Sequence, residues 1–283
     1  MRDRCPSRGL VHTACVRVAT VGWRLTRFSS KPLPARCGPL WLRAYTGPVA
    51  QREKGSALKF FIDTANLEEI AEAKSWGCLA GVTTNPSLYA KTGGALADFE
   101  PHMQKIAELC KGLPVSAETT ATTVDGMVAD GRRLAALAPN IVIKLPICEA
   151  GLAACRILAD EGIRVNMTLI FSATQALLAA NAGARYISPF VGRYDDIALD
   201  GISQLADVIT CIKNYDWSGK NPDGVVEIIT ASVRTANHVV QAALLGADIA
   251  TVPMKALKKC LHHPLTDAGI ATFEADWERV ANA

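Results

Sequence analysis

From Leu58 onward the chain alternates short apolar, β-branched runs with longer stretches in which apolar residues recur every three or four positions. The runs are KFFID (59–63), AGVTTN (80–85), PVSAET (114–119), IVIKLP (141–146), IRVNMTL (163–169), RYISPF (185–190), VEIITAS (226–232) and DIATVP (248–253). Ile141-Val142-Ile143 has the unalternated character of a strand buried on both faces, as in a parallel sheet. Each run is followed by a stretch of helical period. NLEEIAEAKSWG places Asn66 and Glu69 at the spacing of a capping box, and TTVDGMVADGRRLAALA carries a regular apolar stripe. Eight strand–helix units in succession predict an α/β fold, a closed (β/α)8 TIM barrel with right-handed crossovers. An open doubly wound sheet is the rival, but neither G-x-G-x-x-G nor G-x-x-x-x-G-K-[ST] occurs. After the eighth unit, GIATFEADWERVANA predicts an additional C-terminal amphipathic helix.

Residues 1–57 do not share this pattern. They carry 11 Lys and Arg against Asp3 and Glu53, so of the totals of 30 and 27 the remaining residues hold 19 basic against 25 acidic groups. Rich in Arg, Pro, Cys and Gly and without a sustained period, the segment is read as a disordered basic N-terminal extension ahead of a barrel at 58–283. An organellar transit peptide, a misassigned translation start near Leu58 and a functional basic arm are its three readings. Nucleic-acid binding is disfavoured, because the basic residues are not interleaved with a binding motif and the body is acidic. No long uncharged apolar run is present to span a bilayer. The nine cysteines are scattered and make no C-x-x-C pair, and the five histidines have no ligand spacing. A reducing compartment without a metal centre is expected, the cytoplasm, or a mitochondrion or plastid if the extension is a true transit peptide.

In a parallel barrel, active-site groups gather at the C-terminal ends of the strands. There the sequence places Asp63, then Thr83, Thr84 and Asn85, then Glu118, Lys144, Asn166 with Thr168, Ser188 leading to Arg193, and Ser232 leading to Arg234. Each has a structural account of its own. Asp63 could cap a helix, Asn85 before Pro86 could be a turn residue, and Glu118 or Lys144 could reach to water. Thr168 could be a β-former, Ser188 a small residue that fits, and the arginines surface ion pairs. Their convergence on one face is what points to a site. An amine in an apolar strand is desolvated and becomes available as a carbonyl nucleophile, so Lys144 reads as a Schiff-base lysine. A protonated imine is an electron sink for cleaving the bond between carbons three and four of a ketose. Asp63 suits removal of the C4 hydroxyl proton, and Glu118 with Thr168 suits the shuttling of protons through water. Arg193, Arg234 and Ser232 offer donors for a phosphate.

FIDTANLEEI, GVTTNPSL, VSAE, NIVIKLP, EGLAA, NMTLIFSATQALLAANAGARYISPFVGRYDD, GADIATVP and HPLTD together resemble the transaldolase family, in its small-subunit branch that also contains fructose-6-phosphate aldolases. The resemblance covers about residues 58 to 278, and residues 1–57 have no counterpart in it. It implies a (β/α)8 barrel and cofactor-free transfer of a dihydroxyacetone unit between sugar phosphates: sedoheptulose 7-phosphate and glyceraldehyde 3-phosphate give erythrose 4-phosphate and fructose 6-phosphate in the pentose phosphate pathway. By motif, Lys144 matches the Schiff-base lysine, Asp63 the acid/base group, and Glu118 with Thr168 the water-positioning pair. Thr83, Asn85, Asn166 and Ser188 match the dihydroxyacetone pocket, and Arg193, Ser232 and Arg234 the phosphate site, where some relatives have lysine at the last position.

The aldolases of this branch carry glutamine where Glu118 stands and tyrosine where Phe190 stands, so both positions resemble the transaldolase version. Phenylalanine leaves the enamine drier and waiting for an acceptor aldehyde. Transfer is therefore expected over release of free dihydroxyacetone. Outside that chemistry stands a barrel that binds or isomerises sugar phosphates without a covalent adduct. Small members of the family resemble one another in forming pentamers, often stacked as decamers. Phe273, Trp277 and Val280 share one helical face that would meet either a neighbouring subunit or the chain's own barrel.

Overall fold

Eight parallel strands close into a barrel in chain order, each pairing with the next and β8 returning to β1. This computed structural model describes residues 57–283, and the reading of a basic extension at 1–57 lies, but for Ala57, outside the described residues. The strands are β1 (Lys59–Asp63), β2 (Leu79–Thr83), β3 (Val115–Glu118), β4 (Ile141–Pro146), β5 (Val165–Ile170), β6 (Tyr186–Pro189), β7 (Glu227–Thr230) and β8 (Ile249–Val252). The helices are α1 (Leu67–Ser75), α2 (Pro86–Ala90), α3 (Phe99–Leu109), α4 (Val124–Ala135), α5 (Glu149–Asp160) and α6 (Ala173–Asn181). They continue as α7 (Gly192–Asp195), α8 (Gly201–Lys213), α9 (Ala236–Leu245), α10 (Met254–Leu261) and α11 (Pro264–Ala281). The expected TIM barrel is the observed one, with a helix beyond the eighth unit.

Three local details depart from the sequence reading. Two units hold two helices each, because Thr92-Gly93-Gly94 stops α2 before α3 can begin and α7 ends one turn after Gly192. Asn66 does cap α1, accepting from the amides of Glu68 and Glu69, but the box is not reciprocal. The Glu69 carboxylate instead takes the Thr64 hydroxyl at 2.5 Å, and Thr64 accepts the Asn66 amide. The terminal helix starts at Pro264, five residues before the apolar stripe suggested, since proline suits a first helical turn and the His263 ring accepts from the Leu265 amide.

The core has two parts. The larger lies between the sheet and its helices. The smaller fills the barrel itself, where Phe61, Val142, Tyr186, Ile229 and Ile249 pack together. Gly81 belongs to this layer: a Cβ there would lie 2.4 Å from the Phe61 ring, so β2 cedes its side chain to the phenyl group. Below it, at the N-terminal end, Lys59 pairs with Glu227 at 2.6 Å and Arg185 reaches both Glu227 and Asp223.

Candidate active site

Side chains along a strand alternate, so the residues two positions beyond the apolar floor point into the barrel one layer higher. From Phe61, Val142, Tyr186, Ile229 and Ile249 these are Asp63, Lys144, Ser188, Ala231 and Thr251, and all five line one cavity of about 130 Å³. Thr83, Asn85, Thr168, Phe190, Arg193 and Ser232 complete its wall. A period of two, begun by an apolar floor, thus builds a polar chamber at the mouth.

Lys144 is buried in that wall. Its Nζ lies 2.9 Å from Glu118 Oε2 and donates to the Thr84 carbonyl oxygen at 2.9 Å. The register places Glu118 directly beside Lys144 and Asn166 on the other side. The amine therefore sits among polar partners, not against an apolar wall as an isolated reading of IVIKLP suggests. Thr83 donates to Asp63 at 2.7 Å and lies 2.6 Å from the Thr251 hydroxyl, so a chain of hydroxyls leads from β8 to the carboxylate. Burial pushes the Asp63 carboxyl above its ordinary range, against the opposing pull of Lys144, the Thr83 hydrogen bond and Lys91. A carboxylate so placed is a stronger base than a free aspartate.

Thr168 Oγ1 is buried and has no hydrogen-bond partner among the described residues. Alternation from Asn166 turns it into the chamber, and β5 becomes irregular just beyond it, where Leu169 takes a positive φ of 60° and the pairing with β6 shifts between Met167 and Ile170. A free hydroxyl facing the lysine's chamber is a ready ligand for a sugar oxygen or a water. Behind the wall, Ser188 donates to Asn166 at 2.7 Å and Asn166 to Ser116 at 3.1 Å, a pair of bonds that holds three strands in register. Asn85 has two roles, capping α2 by accepting from the Leu88 amide while lining the chamber.

The predicted anion donors divide. Arg193 and Ser232 line the chamber, with the Arg193 guanidinium 5.9 Å from the Phe190 ring centre. Arg234 stands at the rim, where both of its terminal nitrogens hold Asp196, one of them at 2.6 Å. The two loops are stitched together: Val191 and Gly192 amides donate to the Ala231 and Ser232 carbonyls, and His238 bridges Asp195 and the Arg234 amide. Ser232 itself has a positive φ of 57°, a strained turn at the candidate phosphate end.

All twelve residues proposed from the sequence thus fall at one end of the barrel: nine line the chamber, Glu118 and Asn166 touch its wall residues, and Arg234 is held at the rim. Thr251, Ala231, Ser116 and Asp196 escaped notice because a lone threonine, alanine or serine in an apolar run reads as a strand former, and a loop aspartate as a solvated charge. Among the described residues, no group of three or more His, Cys, Asp or Glu is placed to hold a metal ion. Nor is any described helix long and apolar enough to cross a membrane.

The family model described as Transaldolase/Fructose-6-phosphate aldolase matches residues 60–283. A protein of Thermus thermophilus named probable transaldolase is 54% identical over 229 residues, covering 79% of this chain and 99% of that protein. Proteins with the same name from Syntrophobacter fumaroxidans and Moorella thermoacetica are each 52% identical, over 224 and 225 residues, covering 98% and 100% of their own lengths.

Proposed function

Because the chain belongs to the transaldolase/fructose-6-phosphate aldolase family of enzymes, we propose that it transfers a dihydroxyacetone unit between sugar phosphates through a Schiff base on Lys144. The observation that carries this reading is the pairing of the buried Lys144 amine with the Glu118 carboxylate at 2.9 Å, in a chamber shared with the half-buried Asp63, whose pKa is raised.

In this mechanism Glu118 takes a proton from the ammonium, and the free amine attacks the C2 carbonyl of sedoheptulose 7-phosphate or fructose 6-phosphate. Loss of water from the carbinolamine gives the iminium. Asp63 removes the C4 hydroxyl proton, the C3–C4 bond breaks toward the iminium, and an aldose phosphate leaves an enamine on Lys144. An acceptor aldehyde reverses the bond-breaking step, Asp63 returns its proton, and hydrolysis frees the new ketose. Asn166, Ser188, Thr83 and Asn85 surround the three-carbon unit, and Thr168 places the water. Arg193 and Ser232 receive the phosphate, with Arg234 joining once it leaves or shares Asp196. Nothing in these steps calls for a cofactor.

Phe190 favours transfer over release. Its ring packs 5.7 Å from Phe171, which in turn meets Tyr194, so an apolar cluster without a free hydroxyl flanks the chamber. Incubation with fructose 6-phosphate and borohydride, followed by intact mass and peptide mapping, tests the reading. A dihydroxyacetone-sized adduct on the Lys144 peptide, absent from Lys144→Ala, is the expected result. A folded protein without adduct would move the assignment to a non-covalent sugar-phosphate barrel, and free dihydroxyacetone formed without an acceptor would identify an aldolase.

A further inference from the structure

Glu118 stands between two chambers, touching a wall residue of one and lining the other. Its Oε2 meets Lys144, yet the cavity it lines is a second one, of about 430 Å³, on the far side of β3 between that strand, the segment from α2 to α3, and α4. Of the residues assigned chemical roles above, Glu118 alone lines this second space. Its inner end is Glu118, Thr119 and the fully buried Leu134, its flank is Tyr89 and Phe99, and Arg133 with its partners Glu100 and Asp130 stands at the half-exposed outer end. A space with apolar flanks and charged groups at its outer end thus extends to Glu118, the residue whose carboxylate touches the amine.

The stoichiometry of imine chemistry gives such a space a use. Forming the iminium from amine and carbonyl expels one water: the amine adds to C2, its proton moves to the C2 oxygen, and Glu118 protonates that hydroxyl as the nitrogen lone pair closes the C=N bond. Hydrolysis takes one water back and returns the proton. In that mechanism both events occur with a sugar phosphate lying across the mouth of a chamber of only about 130 Å³. Resting on the Schiff-base reading above, we propose that the cavity behind Glu118 is the route by which water and protons reach and leave the imine, separate from the opening through which the sugar enters.

Two exposed positions lining the cavity away from Lys144, Ala97 and Thr120, allow it to be plugged with Ala97→Trp or Thr120→Trp. The readouts are exchange of heavy oxygen from solvent into C2 of fructose 6-phosphate and the rate at which the borohydride-trapped adduct forms. The plugs are expected to slow both by about tenfold while KM stays within about twofold. Folded plugged proteins that exchange oxygen and form adduct at the unmodified rate would overturn the route, and so would a rise in KM that matches the loss of rate. If the unmodified protein traps no adduct at all, the Schiff-base reading falls and the route with it. A normal adduct with indifferent plugs removes only the route.

Discussion

Asp63 illustrates how a single residue carries opposite consequences for folding and chemistry. Burial raises its pKa above the free value, so the folded state holds its proton more tightly than the unfolded chain does, and the ionised form opposes folding. That opposition is absent below about pH 4, where both states are protonated, and grows as pH rises through the folded value. Asp63→Asn keeps an acceptor for Thr83 without the charge. It is expected to raise the melting temperature at pH 7, to lose that gain toward pH 4, and to lower the turnover rate by about 10²- to 10⁴-fold. Thermal unfolding across pH, beside steady-state rates, checks both halves. The acid limb of kcat/KM should likewise lie above the range of an ordinary aspartate, since Asp63 works as a base only when ionised. The place of this residue at the chamber was legible in KFFID because an acid ending an apolar strand is unusual. Its hydroxyl support from Thr83 and Thr251 was only half legible: Thr83 stood in a polar cluster, whereas Thr251 looks like any β-former until the barrel closes and brings β8 beside β1.

At the scale of elements, the strands were readable because a parallel strand covered by helices must be apolar on both faces, and that requirement leaves an uninterrupted run. What the runs could not show is which residues pack across the barrel. Gly81 is the case in point: it reads as a harmless small residue in AGVTTN, yet its missing Cβ is the space the Phe61 ring occupies. Phe61 is fully packed with Val142, Tyr186, Ile229 and Ile249 and has no free direction to swing. Gly81→Ala should therefore cost about 1–3 kcal/mol through overpacking, seen as a lower denaturant midpoint with an unchanged slope. The loops after β6 and β7 offer a second case. Gly192 donates to the Ser232 carbonyl, and a Cβ there would fall 2.3 Å from that oxygen, so alanine would force apart the two loops that carry Arg193, Ser232 and Arg234. For Gly192→Ala we expect KM for phosphorylated sugars to rise by about tenfold with a smaller change in kcat, which steady-state kinetics with and without the phosphate group on the substrate would resolve. The pairing of Arg234 with Asp196 was hidden in the sequence because it joins residues from two different units, and spacing along one strand says nothing about a rim contact between loops.

For the whole molecule, closure of the sheet leaves no strand edge among the described residues to pair with another chain, so an assembly built through them uses surfaces of helices and loops. The helix α11 supplies one. None of its residues is buried, although it carries Leu265, Ile270, Phe273, Trp277 and Val280, and the three named from the sequence are 74%, 72% and 66% exposed. The alternative that this helix covers its own barrel thus fails for the described chain. Leu261, just before it, adds to the same exposed apolar content. A surface of this kind on an isolated chain is costly in water and calls for a partner, and a different face of an identical chain, the head-to-tail contact that closes a ring, can supply it. We accordingly propose a homo-oligomer, with the pentamer or decamer as the forms the family resemblance suggests. Replacing Phe273 and Trp277 together by glutamate removes no buried contact, so the far-UV circular dichroism of the barrel should not change. Light scattering should then report the mass of a single 30.2 kDa chain where the unaltered protein gives a multiple of it. An unaltered protein that already runs at the single-chain mass at micromolar concentration would instead leave α11 without a subunit partner, and the proposed assembly would be wrong.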